Sequence, residues 1–470
     1  MAENSVRAGL MAVGLGSYWP QFPRMRGVID AAHARLEALI GQHAELVSAG
    51  MADDAESSRA AGRMLAAGDV DVVFVHLATY ANSETLLPAI RALDVPIVLL
   101  NVQPGRALDM ERTRDIGDWL AAGVTPAALP EMTNVLLRLG KRFDSITGHL
   151  DDDAELSEEL ALWCKIAGLG RRLRTQSLGL LGRPFAGMMD LNVDETHLMA
   201  HFGTFVRHLD WDDAVAEMKA VTSDERDAAV AELRQTFPAS TSLAAAEFET
   251  AGTVLAALHR VVARYNLSAI ASHYEGASGG ERAVLLSALN PALSVLNARG
   301  IACPVEADMK VAFAMLALKT VGGSATLAEL YSMDFNDDVI IIGHSGAGDP
   351  AISDAPPRLA MSEVFHGKSG KGYLTQFYPR AGDVTLLSVM QDASGGYRMV
   401  AAEGEIVPGP TLQLGDTNAR VRFPQGLRRF IREWSARGPT HHGVMGYGRQ
   451  IDRLSRVAIA LKLPLDVVGS

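Results

Sequence analysis

Between residues 8 and 102, short apolar runs alternate with stretches of helical periodicity, and that alternation leaves few folds open. The runs Ala8 to Val13, Ala44 to Ser48, Val70 to Val75 and Pro96 to Val102 are bounded by polar residues, Gly or Pro, as buried strands are. Between them Met25 to Ile40, Asp53 to Ala67 and Ser83 to Leu93 carry apolar residues at helical spacing. The pattern is βαβαβ, which implies a parallel sheet covered by helices on both faces.

The same logic carries further along the chain. The acidic run Asp151 to Asp153 starts another helix, and Ser177 to Gly182 opens a second set of strands and helices that ends with Ile301 to Val305. A second α/β domain follows, with its boundary between residues 165 and 177. From about residue 326 the texture changes: Val339 to Ile342, Gly372 to Tyr378, Asp383 to Val389, Tyr397 to Ala402 and Arg420 to Phe423 read as short strands separated by Gly, Pro and Asp turns. This part is expected to be mainly antiparallel β. Two helical patterns, Gln425 to Ala436 and Arg449 to Leu461, flank the loop that holds His441 and His442. The expected domains are 1–170, 171–325 and 326–470.

Composition excludes several classes of function. With 43 Lys and Arg against 55 Asp and Glu, the 470-residue chain carries a net charge of −12, which argues against a nucleic-acid binder. Cys164 and Cys303 are too few and too isolated for a disulfide framework or a CxxC zinc site, which fits a reducing, cytoplasmic setting. No apolar stretch approaches the roughly 18 to 20 residues of a membrane helix. The apolar run from Ala8 to Gly16 resembles a short signal sequence, but Ser17 to Phe22 lacks a small-residue cleavage pattern and reads as the turn after a buried first strand.

In open α/β sheets ligands sit beyond the carboxyl ends of strands, so polar side chains there are the first candidates for chemistry. Ile301 to Val305 delivers Glu306, followed by Asp308 and Lys310 at the start of a helix running through Met315 to Lys319. Glu329 lies in the Thr326 to Leu330 segment, and Val339 to Ile342 presents Gly343 and His344. Carboxylates and imidazoles at such places are the ingredients of a divalent metal site. Their spacing follows no compact ligand motif such as HExxH. Taken alone, each also suits an ordinary role, the histidine as a hydrogen-bonded turn residue and the glutamate as a helix cap.

Other motifs point away from familiar cofactors. Gly14 and Gly16 follow the first strand, but no third glycine stands where a dinucleotide turn needs it. Gly343-His344-Ser345-Gly346 lacks the GxSxG order of a nucleophile elbow, and no P-loop occurs. Cys303 sits inside an apolar run with no adjacent base, as a small hydrophobe.

Assembled in order, these residues resemble the L-arabinose isomerase and L-fucose isomerase family, whose members convert aldoses to ketoses with manganese. The resemblance rests on Val13-Gly14-Leu15 to Phe22, Val305-Glu306-Ala307-Asp308 to Lys319, Leu327-Ala328-Glu329, Asp338-Val339 to His344, and Gly438-Pro439-Thr440-His441-His442. It implies two Rossmann-like parallel-sheet domains followed by a β-barrel-like C-terminal domain, assembled as trimers or hexamers. It also implies that Glu306, Glu329, His344 and His442 ligate Mn2+, with Co2+ or iron admitted by the same donors, and that the two glutamates are the catalytic acid and base. Tyr80, Met188 and Tyr274 fall where the family lines its sugar pocket, although core or interface packing explains them equally well. His441 and Gln21 are further substrate-binding candidates. Arabinose isomerases place a glutamine shortly after the first strand, where this chain has Gly16 in register and Gln21 further on. They also place a histidine in the segment matching Ala121 to Leu129, where this chain has none. Asp334 competes with Glu329 as the acidic ligand, but its position before Asn336 to Asp338 suits a turn residue better.

The activity implied is isomerisation of a small sugar through an enediolate, with one glutamate taking the proton on carbon and the other exchanging the hydroxyl proton. Two alternatives use the same fold: a sugar-binding or regulatory protein without turnover, and a metal-dependent epimerase or lyase. Retention of all four ligand candidates speaks against the first, and product analysis separates the second.

Overall fold

The computed structural model describes residues 5–111, 113–240, 243–273, 279–362 and 372–469. These fall into two units, 1–171 with 459–462 and 172–458 with 463–470.

The first unit is built on five strands, β1 (Arg7–Val13), β2 (Glu45–Ala52), β3 (Val72–Leu77), β4 (Ile97–Gln103) and β5 (Phe143–His149), all parallel in the order β2-β1-β3-β4-β5. Alternation along β1 decides which helix covers which face. Met11 and Val13 pack with Ala61 and Leu65 of the helix Ala55–Ala67, while Ala12 packs with Met25 and Ile29 of the helix Met25–Gly41. The Asp54 carboxylate accepts the backbone N–H groups of Glu56 and Ser57 at 2.9 and 2.7 Å and so starts the first of these helices. The segment expected as one helix over Ser83 to Leu93 is instead a 3-10 turn, Ser83–Thr85, and a short helix, Leu87–Ile90. Pro88, which has no backbone N–H to donate, sits in the first turn of the second piece.

The second unit begins with three parallel strands, β6 (Ser177–Leu181), β7 (Phe205–Leu209) and β8 (Leu267–Ser272), in the order β7-β6-β8. Ile301 to Val305, expected as a strand, touches β8 through a lone parallel bridge at Ala302. The reason is local: Pro304 has no donor, and the Cys303 N–H goes to the Asn297 side chain at 2.9 Å. Carbonyls of Ala302 and Pro304 still accept from Ile270 and Ser272, so the segment runs beside β8 without a full ladder.

The remaining strands are β9 (Thr326–Asp334), β10 (Val339–His344), β11 (Arg358–Ser362), β12 (Gly372–Gln376), β13 (Gly382–Gln391), β14 (Tyr397–Ile406), β15 (Thr417–Arg422), β16 (Gly443–Tyr447) and β17 (Leu465–Val468). The order β13-β16-β9-β10-β15-β14 closes on itself through β13–β14 pairing into a six-stranded antiparallel barrel, with β17 added in parallel to β14. Closure pairs each of the six barrel strands on both sides, and β17, paired with β14 alone among the described residues, keeps one edge open. Its interior takes Ala328, Ile340, Ile342, Leu386, Val400 and Val421, and Phe430 and Trp434 of the helix Leu427–Ala436 pack against this cluster. β11 and β12 form a separate antiparallel pair. Two parallel α/β sheets and an antiparallel barrel are the architecture read from the sequence. Among the described residues no helix is long and apolar enough to cross a membrane.

Candidate metal centre

Three neighbouring barrel strands bring distant residues together. β9 lies between β10 and β16; Glu329 on β9 pairs with Gly343, next to His344, while Ala328 pairs with Gly443, next to His442. Ala328 and Leu330 point into the barrel, so Glu329 points out of it. A bulge on β9 follows at once, because Ile341 and Ile342 pair with Ser332 and Leu330 and leave Tyr331 as the extra residue.

Glu306 reaches the same place from the α/β part of this unit. Glu306 and Ala307 both take left-handed backbone conformations, φ +61° and +58°. Non-glycine residues adopt that region at a cost of about 1–3 kcal/mol each. The Ala307 N–H donates to the Ser272 carbonyl at 2.8 Å, which ties the turn to the end of β8. Asp308 then caps the helix Met309–Gly322: its Oδ1 accepts from the backbone N–H groups of Lys310 and Val311 at 3.0 and 3.3 Å.

The side chains converge. His442 Nε2 lies 3.5 Å from Glu306 Oε2 and 3.7 Å from Glu329 Oε1, and His344 Nε2 lies 3.9 Å from both carboxylates. His441 Nε2 is 3.6 Å from Glu329 Oε1. Ligand atoms of Glu329, His344 and His442 form one group compatible with an ion, and those of Glu306, His441 and His442 form another.

The donors fit a divalent cation on two counts. Glu306 Oε2 and His442 Nε2 are buried and have no hydrogen-bond partner among the described residues, a costly state for groups that a cation would satisfy together. Each imidazole is also anchored at Nδ1, turning Nε2 inward. His344 Nδ1 donates to the Ser345 carbonyl at 2.6 Å, and His442 Nδ1 meets the fully buried Asp308 Oδ2 at 3.1 Å. A carboxylate behind a ligating imidazole is the usual outer-shell support.

Electrostatics follow from burial and crowding. Burial pushes the Glu306 carboxyl up and Glu329 adds to this, against the opposing pull of His442. Burial opposes ionisation of Asp308 too, but Lys310 and His442 hold its carboxyl below the ordinary value. For His442 burial works against the charged form, yet Asp308 and then Glu306 and Glu329 raise it overall. Beside Glu329, the hydroxyls of Tyr331 and Ser345 both donate to Asp416 Oδ2, at 3.3 and 3.2 Å. Burial, with the Asp416 charge second, pushes the Tyr331 hydroxyl up.

The other residues singled out in the sequence lie in various places. Met188 is half-buried and precedes a 3-10 turn, Met189–Leu191, whose Asp190 carboxylate holds His441. Gln21 and Tyr80 belong to the first unit: the Gln21 amide donates to the Ser17 carbonyl at 2.8 Å, and Tyr80 packs against the Ala12–Met25 cluster. Tyr274 lies outside the described residues. Asp334 is a turn residue, accepting from the N–H groups of Asn336 and Asp337 and pairing with Arg420. Sequence reasoning missed Asp308 as a partner of His442, the Asp190–His441 pair and the Tyr331–Ser345–Asp416 group. Only Asp308 left a signal, as an acid two residues after Glu306 at a helix start.

Residues 324–463 match the L-arabinose isomerase C-terminal domain. The chain is also 21% identical over 397 residues to a sulfoquinovose isomerase from Alkalicoccus urumqiensis, in an alignment covering 84% of this chain and 85% of that protein. The chain is thus similar to sugar isomerases of the arabinose and fucose isomerase type, with the family likeness carried by residues 324–463.

Proposed function

We propose that this protein is a metal-dependent aldose–ketose isomerase whose ion is held by Glu306, Glu329, His344 and His442. The observation that carries the reading is the convergence of two carboxylates and two inward-turned imidazoles around His442, with Glu306 Oε2 and His442 Nε2 left unpartnered among the described residues. A divalent cation, manganese by family resemblance with cobalt or iron accepted by the same donors, supplies positive charge that stabilises the anion formed beside the sugar carbonyl. Glu306 and Glu329 move the proton between the first and second carbons and the hydroxyl proton between the two oxygens. Asp308 keeps His442 in the tautomer that offers Nε2. Burial of Glu306, His344 and His442 keeps bulk water from the proton in transit.

The substrate is a small sugar. Likeness to a protein named for sulfoquinovose, and the absence of a histidine over Ala121 to Leu129, support a substrate other than L-arabinose. Metal-loaded protein should be incubated in deuterated water with pentoses, deoxyhexoses, tetroses and charged sugars including sulfoquinovose. The expected result is a ketose from one of them with deuterium at the second carbon. Deuterium exchange giving only an epimer points to the epimerase reading, and no exchange with any sugar and metal ends the proposal.

A further inference from the structure

At the rim of the centre stands a histidine whose orientation is imposed from far away in sequence. Asp190 Oδ2 accepts twice from His441, from its backbone N–H at 3.0 Å and from Nδ1 at 2.7 Å. An ionised carboxylate has only acceptors, so Nδ1 is the protonated ring nitrogen at this contact, and in the neutral imidazole Nε2 then offers a lone pair. That lone pair faces Glu329 Oε1 at 3.6 Å. Two acceptors at this separation make no hydrogen bond with each other, and a hydroxyl brought beside them has one proton to give to either. His441 is also the open member of the group: a third of its side chain is exposed, whereas His442 is fully buried. Asp190 and His441 are 251 positions apart in the chain, so the contact is purely tertiary.

We propose that Asp190 is a positioning residue: by fixing His441 it sets an acceptor beside Glu329 that takes a hydroxyl of the polyol substrate. This rests on the isomerase reading for the identity of the substrate, and concerns a neutral hydroxyl donor on the sugar. The competing role for His441, as a ligand to the ion with Glu306 and His442, is an outcome of the same test.

The full-length, manganese-loaded protein is compared with Asp190→Ala, Asp190→Asn, His441→Ala and the Asp190→Ala/His441→Ala double variant. Metal content after dialysis is measured, then binding of ribitol, L-arabinitol and galactitol by calorimetry, and kcat and KM on whichever aldose is turned over. Asp190→Ala should keep its metal and weaken polyol binding about tenfold, the scale of one net hydrogen bond. KM should rise with kcat nearly unchanged, as for an interaction made equally in ground and transition states. Asp190→Asn, whose amide oxygen still accepts, should fall within about threefold of wild type, and the double variant should be no worse than His441→Ala alone. Loss of metal in Asp190→Ala overturns the proposal in favour of ligation by His441. Multiplicative losses in the double variant, unchanged binding in Asp190→Ala, or wild type that binds none of the polyols also overturn it. Polyol binding without turnover of any aldose removes the isomerase reading alone.

Discussion

At Glu306 the backbone itself is part of the site. Two successive left-handed residues are held by the Ser272 carbonyl and by the Asp308 cap, so the carboxylate is aimed before any ligand arrives. Glu306→Gln preserves that shape and removes the ionisable group. It should leave a folded protein with isomerase activity lower by at least about two orders of magnitude, read from ketose formation at saturating metal. Behind His442, Asp308→Asn removes the negative partner that fixes the ring. Metal affinity should fall about 10- to 100-fold, measured by competition with a chelator, and His442→Ala should retain less still. Unchanged affinity in both variants would take His442 out of the ligand set. The individual candidates Glu306, Glu329 and His344 were readable as polar residues at the ends of apolar runs. Asp190 was not, because nothing local marks an acid that acts on a residue 251 positions away.

Among the elements, β9 matters most, since its two neighbours are what turn a scattered set of residues into a cluster. The apolar run Val339 to Ile342 marks β10, whereas Thr326 to Leu330 reads only as the segment that holds Glu329, and His441 and His442 read as a loop with no strand after them. β16 was hidden because Gly443-Val444-Met445-Gly446 is short and rich in glycine, and strand character there comes from pairing with β9 and β13. Close packing of β10 on β15 makes a further demand. A Cβ on Gly343 would lie 2.3 Å from the Thr417 carbonyl oxygen and 2.7 Å from Asn418 Cβ. Gly343→Ala should therefore part the two strands, costing about 1–3 kcal/mol of stability by chemical unfolding, and lower metal retention by displacing His344.

For the molecule as a whole, stability should respond to acid through the first unit. His76 on β3 is buried, stacks on His33 at 5.7 Å between ring centroids, and burial with His33 beside it drives its pKa down to about 3. Burial lowers His33 as well. A histidine kept neutral in the fold binds a proton only on unfolding. Its contribution is complete above the unfolded value near 6.5 and is lost as pH falls from there toward 3, by roughly 2 kcal/mol at pH 5. His76→Leu should flatten that slope between pH 7 and 5, followed by fluorescence of the buried Trp163 in the same unit. By family resemblance the protein should assemble as a trimer or hexamer, and light scattering should give three or six times the chain mass.

Periodicity and punctuation are local, so the sequence alone determined the α/β sheets, the antiparallel character after residue 326 and the polar residues at strand ends. Pro304 and Pro88 were equally local, yet their effect depended on which donors the surroundings required, and the expected strand and helix there gave way. Closure of the barrel, the seating of β9 between β10 and β16, and the grip of Asp190 on His441 were decided only in three dimensions. Each is a contact between residues far apart in the chain, whose free energy depends on partners that no stretch of local sequence specifies.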